Sequence, residues 1–232
     1  MAQMRMNWPP FTRNIMGLAV VLFLLWFLSI PGAPLEGFVA DYMLVSSQAV
    51  VGEFQIWTVI TYSLFHADFM HLGFNLFVLW MFGGRIDDSW PAKKWWTFNA
   101  LCALGGGVAV VLSQLVFQSV HPTLGYSGAV MGVVAAFAWQ HWNRRIYLFF
   151  FPMKGKTLLL VFIAIDILLV VGAREPISIA AHLGGMATGL LIVTGWWRPR
   201  RWRLIYDRWR HKKHREKFKV ISRDPESDRW VN

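Results

Sequence analysis

Residues 123–142 read TLGYSGAVMGVVAAFAWQHW, and their reading decides the fold. From Ser127 to Trp142 the segment is apolar except for Gln140 and His141 near its end. As a helix it is about 24 Å long at about 1.5 Å per residue, somewhat short of the roughly 20 residues that cross a hydrocarbon core. Gly128, Gly132 and Ala136 recur at spacing four. Such a stripe lets a second helix bring its backbone close. A single hydroxyl, that of Ser127, stands at the start of the run.

The rest of the chain decides whether this run lies in a soluble core or in a bilayer. Of 232 residues, 56% are apolar, 16% aromatic and 16% charged. Soluble domains carry about 25% charged residues, so disorder, nucleic-acid arms, disulfide scaffolds and collagen are excluded. Cys102 is the single cysteine, which rules out an internal disulfide or a Cys-x-x-Cys pair. Further apolar runs lie at about 14–30, 66–84, 95–117, 157–172 and 177–197, and with 127–142 they make six candidate spans. Lipid offers no partner to open backbone, so each is expected to be a helix. The period-two alternation of a membrane barrel is missing. The expectation is an all-α polytopic membrane protein with a six-helix core over 1–197 and a basic tail over 198–232. Arg5 and Arg13 flank the first run as in a secretory signal, but its length and the poor cleavage site at Pro31-Gly32-Ala33 favour a retained helix.

Charge sets the orientation. With both termini in the cytoplasm, 22 of the 23 Lys and Arg residues fall on the cytoplasmic side, with Arg174 the exception. Residues 31–65 contain no Lys or Arg. This is the positive-inside pattern, and it predicts a multi-pass protein of the cell (inner or cytoplasmic) membrane. The tail's basic residues are expected to face anionic lipid headgroups, at about 1 kcal/mol each, rather than nucleic acid. Trp202, Tyr206 and Trp209 recur every three or four residues, the pattern of an interfacial amphipathic helix.

Polar groups inside spans are site candidates by default. The second run holds His66, His71 and Asn75, and the i,i+4 spacing sets His71 and Asn75 on one face. The fourth opens with Gly125-Tyr126-Ser127-Gly128, the sixth carries Ala181-His182-Leu183-Gly184-Gly185, and the fifth holds Asp166. The bland readings are a helix cap for Ser127, interhelical pairing for the histidines, and close packing for the glycines. Ala181, Gly185 and Gly189 form a second small-residue stripe. Ser127 adjoins the first stripe and His182 the second, so facing stripes bring hydroxyl and imidazole together. His182 lies six residues inside Pro176, about 9 Å along a helix, a depth similar to that expected for Ser127. The linking residues 118–126 must then dip inward, which open backbone tolerates only where protein or a water cavity encloses it.

These groups suit acyl transfer. A Ser hydroxyl becomes nucleophilic when a neighbouring base, here neutral His182, takes its proton. At a helix start its own N–H and the helix dipole point where the oxyanion forms, and His71 and Asn75 can add donors.

The three segments, in this order on these spans, resemble the rhomboid intramembrane serine proteases, over residues of about 14–197. The resemblance implies a six-helix bundle with Ser127 as nucleophile and His182 as general base. It implies oxyanion donors in His71, Asn75 and the Ser127 amide, with His66, Gly125, Tyr126 and Gly128 supporting the site. It also implies no cofactor, no metal and no third acidic residue, with single-span membrane proteins cut near the outer end of the span. Thr58 stands where Arg follows the family's loop tryptophan (Trp57 here), and Met131 where some members have Tyr. Asp166 has no family role and lies six residues inside Gly172, at the depth expected of Ser127 and His182. It is expected to be structural, protonated, bonded to a neighbouring helix and clear of the dyad, the alternative being a carboxylate ionised in the cavity that favours a charged His182. Two rival readings are an inactive relative that binds membrane clients and a metal transporter lined by His66, His71 and His182. The first typically lacks Ser or His; the second leaves the Gly-x-Ser-Gly segment unexplained. A soluble hydrolase elbow fails because Ala129 stands where Gly is required.

Overall fold

The computed structural model describes residues 10–28, 34–87, 89–148, 150–173, 176–215, 222–223 and 230–231. In chain order the helices are α1 (Pro10–Phe27), α2 (Pro34–Tyr42), α3 (Thr58–Thr61), α4 (Phe69–Val78), α5 (Gly84–Asp87), α6 (Ala92–Phe117), α7 (Ser127–Gln140), α8 (Gly155–Ala173), α9 (Pro176–Thr194) and α10 (Pro199–Arg215). Proline opens α1, α2, α9 and α10, where its missing N–H costs nothing and its fixed φ suits the first turn. Asp68 caps α4, its carboxylate accepting from the His71 amide at 2.8 Å. That cap starts the second span at Phe69 and leaves His66 in the extended chain before it, rather than on the helix as the apolar run predicts.

Among the described residues three apolar stretches are long and apolar enough to cross a bilayer: α1, the continuous stretch Phe69–Ile86, and α6; a bent pair, Ile179–Thr194 with Pro199–His211, passes the same test when taken together. The second runs from α4 through a π-helical turn, Leu79–Gly83, into α5. Helix α7 is apolar but has only 14 residues; α8 and α9 have 19 each. Two segments differ from a plain reading of loops between spans. Residues 31–65 contain α2, a π-helical turn at Gln48–Gly52, α3 and a 3-10 turn at Tyr62–Leu64. Between α7 and α8 the chain forms a hairpin, Arg145–Leu148 paired antiparallel with Phe151–Lys154. Aromatic and branched residues favour strand there, and Tyr147, Phe150 and Phe151 are left exposed. Arg174 lies outside the described residues.

The core is built around α7. Every residue from Gly128 to Ala138 is buried, packed by α6, α8 and the π-helical turn 79–83. Phe82 of that turn sits 5.1 Å from the Phe137 ring and 6.0 Å from that of Phe162. The two small-residue stripes face each other. A Cβ at Gly185 would strike the Gly128 carbonyl, and one at Gly189 would lie 2.6 Å from the Gly132 carbonyl. A Cβ at Gly128 would lie 3.0 Å from the Ala181 carbonyl. Helix α6 joins through Gly106, where a Cβ would lie 2.9 Å from that same carbonyl. Burial of apolar surface drives little association within lipid, so close backbone packing of this kind is a principal source of helix adhesion.

Compact units form over Met1–Val193 and Thr194–Asn232. In the second, Trp202 donates its indole N–H to the Trp196 carbonyl at 2.8 Å. The Tyr206 and Trp209 rings lie 6.0 Å apart, and both are exposed on α10.

Candidate active site

Ser127 opens α7, half-buried, at the end of a tethered loop. Thr123 exchanges backbone hydrogen bonds with Val45, at 2.8 and 3.2 Å. The Gly125 amide donates to the Tyr62 carbonyl at 3.0 Å, and the Tyr126 amide to His66 Nε2 at 3.3 Å. The Tyr126 hydroxyl reaches Asn99 Oδ1 at 3.0 Å. Three backbone positions ahead of the nucleophile candidate, Thr123, Gly125 and Tyr126, are thereby held. Because His66 Nε2 accepts, the ring's proton sits on Nδ1, which is buried without a partner. Gln114 secures the loop's far end, its amide donating to the His121 carbonyl at 2.7 Å and its oxygen accepting from the Ser47 amide at 2.6 Å.

Gly125 has φ +124° and lies against the His71 ring. A Cβ there would meet His71 Cε1 at 2.6 Å and Nε2 at 2.7 Å, with Ser127 Oγ 3.7 Å away. His71 and Ser127 thus border one small space that only glycine leaves open. One turn further along α4, Asn75 is 4% exposed, and among the described residues its Nδ2 has no hydrogen-bond partner. A buried amide donor without an acceptor costs about 1–3 kcal/mol, and this one lies on the helix that packs against α7.

His182 follows Ala181 on α9, at the level of Gly128. Among the described residues its one hydrogen bond is from Nδ1 to Asp166 Oδ1 on α8, at 2.8 Å. Nε2 is therefore the ring nitrogen left without a bond among the described residues. The expectation that Asp166 stays clear of the dyad is corrected by this contact. The spacing of residues within α8 placed Asp166 at the depth of His182, but the bond itself depends on how α8 packs beside α9. Among the described residues no three His, Cys, Asp or Glu side chains converge to hold a metal ion.

A family model for the rhomboid domain matches residues 53–199, a stretch that contains His66, His71, Asn75, Ser127, Asp166 and His182. The chain belongs to the rhomboid family. It is 30% identical over 206 residues to "Rhomboid protein 1, mitochondrial" of Saccharomyces cerevisiae, covering 82% of this chain and 56% of that protein. It is 28% identical over 194 residues to "Rhomboid protease GlpG homolog" of Cronobacter sakazakii, covering 82% and 64% respectively. "Rhomboid-type serine protease 2" of Emericella nidulans is 27% identical over 130 residues, covering 55% of this chain and 24% of that protein. The chain spans about half the length of the first curated relatives it matches. As a rhomboid it is a multi-pass membrane protein, and the family includes serine proteases.

Two departures from the rhomboid pattern now have a structural account. The Trp57 indole donates to the Tyr42 carbonyl at 2.7 Å, and Thr61 Oγ1 to the Met43 carbonyl at 2.8 Å. The first loop is anchored through those two side chains, while buried Thr58 turns inward to the Gln55 carbonyl at 2.7 Å. Met131 is buried in the core beneath the site. Asp68, Tyr62 and Gln114 were not singled out from sequence. Of these only Asp68 carried a signal, as a carboxylate three residues before His71 at a helix start.

Proposed function

We propose that this chain is an intramembrane serine endopeptidase that cuts single-span membrane proteins near the outer end of the span. In the reaction, Ser127 Oγ attacks the scissile carbonyl carbon while its proton passes to His182 Nε2. The carbonyl π electrons move onto oxygen, and the Ser127 amide, Asn75 Nδ2 and the His71 ring donate to that oxyanion. Collapse of the intermediate expels the amine, which takes the proton from His182, and water then hydrolyses the acyl-enzyme by the same steps.

The observation that carries this reading is the glycine contact between α7 and α9. The neighbours of Ser127 and His182 in sequence, Gly128 and Ala181, touch across the helix pair. The unpartnered Asn75 Nδ2 adds to it, since a donor held at a cost is the form an oxyanion site takes before substrate arrives. The proposal includes six spans, cytoplasmic termini, residence in a cell membrane and a tail lying on anionic lipid. Both Ser127 and His182 are present, against an inactive client-binding relative.

Purified protein reconstituted with a labelled single-span substrate tests the reading. Wild type cleaves; Ser127→Ala and His182→Ala each abolish cleavage while remaining folded. The double variant is no worse, because nucleophile and base act as one unit. Cleavage retained by Ser127→Ala overturns the assignment.

A further inference from the structure

We propose that Asp166 is the positioning acid of the active site, making a Ser127–His182–Asp166 triad. The inference rests on the protease reading above and deepens it. Two independent observations support it. Asp166 Oδ1 lies 2.8 Å from His182 Nδ1, with the carboxylate side chain 3% and the imidazole 18% exposed. Among the described residues the other carboxylate oxygen, Oδ2, is buried with no hydrogen-bond partner. A merely structural aspartate, protonated and bonded between helices, uses both oxygens or directs its proton to a backbone carbonyl. Asp166 instead spends its one bond on the imidazole and leaves the rest of its acceptor capacity unused.

That arrangement does two things. As an acceptor, Oδ1 holds the ring proton on Nδ1, which leaves the Nε2 lone pair for the Ser127 proton. When Oγ bonds to the scissile carbon and its proton moves to Nε2, the ring becomes an imidazolium beside a carboxylate that is poorly compensated at rest. The attraction is strong because the pair is largely out of water. Asp166 gives and takes no proton; the one transferred to Nε2 leaves with the amine. Its position is that of the third group that orients the base in soluble serine hydrolases, here supplied from a neighbouring span.

The test compares Asp166→Asn and Asp166→Glu with wild type and Ser127→Ala, in cleavage and in thermal stability. The expected result for Asp166→Asn is a folded protein with kcat reduced by about 10²–10⁴ and KM little changed, since loss of the orienting carboxylate lowers turnover about 10⁴-fold in a serine-protease triad. Asp166→Glu recovers part of the rate. Nitrogen NMR of ¹⁵N-histidine-labelled wild type, with His182 assigned by its replacement, reads the tautomer directly and covers an Asn variant that fails to fold. A neutral His182 carrying its proton on Nδ1 supports the triad. A proton on Nε2, or Asp166→Asn activity within a few-fold of wild type, overturns it and leaves the Ser–His protease standing. Wild type no more active than Ser127→Ala overturns the protease reading, and the triad with it.

Discussion

The backbone amide of Tyr126 donates to Nε2 of His66, 3.3 Å away and sixty residues earlier in the chain. His66 is fully buried, so its ring both fills space and terminates the only amide between Gly125 and Ser127. His66→Ala leaves that amide without an acceptor, at a cost of about 1–3 kcal/mol, and frees the residue before the nucleophile. Lower thermal stability together with reduced kcat is the expected outcome, read by detergent melting and by cleavage rate. A variant that melts and cleaves like wild type would show that the bond positions nothing.

Gly185 and Gly73 make a matched pair of glycines. Gly185→Ala drives a methyl group into the Gly128 carbonyl, whereas a Cβ at Gly73 meets nothing within 4 Å. Backbone cannot step aside as a rotamer can, so Gly185→Ala is expected to lower stability by about 1–3 kcal/mol or more and to separate α7 from α9. Gly73→Ala is expected to be neutral or to gain about 0.5–1 kcal/mol from reduced chain entropy. Thermal unfolding of the two variants side by side checks the contrast, and equal effects would refute it.

Asn75→Ala and His71→Ala are expected to lower kcat by about 10²–10³ each, as loss of one oxyanion donor does elsewhere. KM is expected to move little, because these donors act mainly on the transition state. Steady-state kinetics on a reconstituted substrate separates the two parameters. An effect confined to KM would make both residues substrate contacts.

The charge distribution predicts that a reporter fused at Asn232 lies in the cytoplasm and one inserted at Phe38 lies outside. Paired phosphatase and fluorescent-protein fusions at these positions decide it. An external C-terminal reporter would reverse the orientation and, with it, the face of the membrane at which substrates are cut.

The sequence made some features legible and not others, for physical reasons. Apolar runs declare helices because lipid permits nothing else, and spacing along one helix set His71 with Asn75 and aligned the two glycine stripes. Facing of those stripes followed because small residues are where backbones can meet. What one helix does to another at the level of a single hydrogen bond was not legible. The Asp166–His182 contact depends on the relative rotation of α8 and α9, and the Tyr126–His66 bond on where a loop turns. The hairpin at Arg145–Leu148 and Phe151–Lys154 escaped because its aromatic residues suit a span's end as well as a strand. The π-helical turn at Leu79–Gly83 escaped because one extra residue per turn leaves hydropathy unchanged.

The α7–α9 seam has a consequence for how the protein meets membranes of different thickness. A bilayer that does not match a span is accommodated by tilting it, thinning locally or bending it, at a small cost per ångström. Helices joined through long side chains can tilt separately, because their rotamers take up the shear. Along Gly128, Gly132, Gly185 and Gly189 the two backbones touch with no side chain between them. Such a pair leans as one body, so the separation of Ser127 and His182 is set by peptide geometry and is insulated from the lipid composition around it.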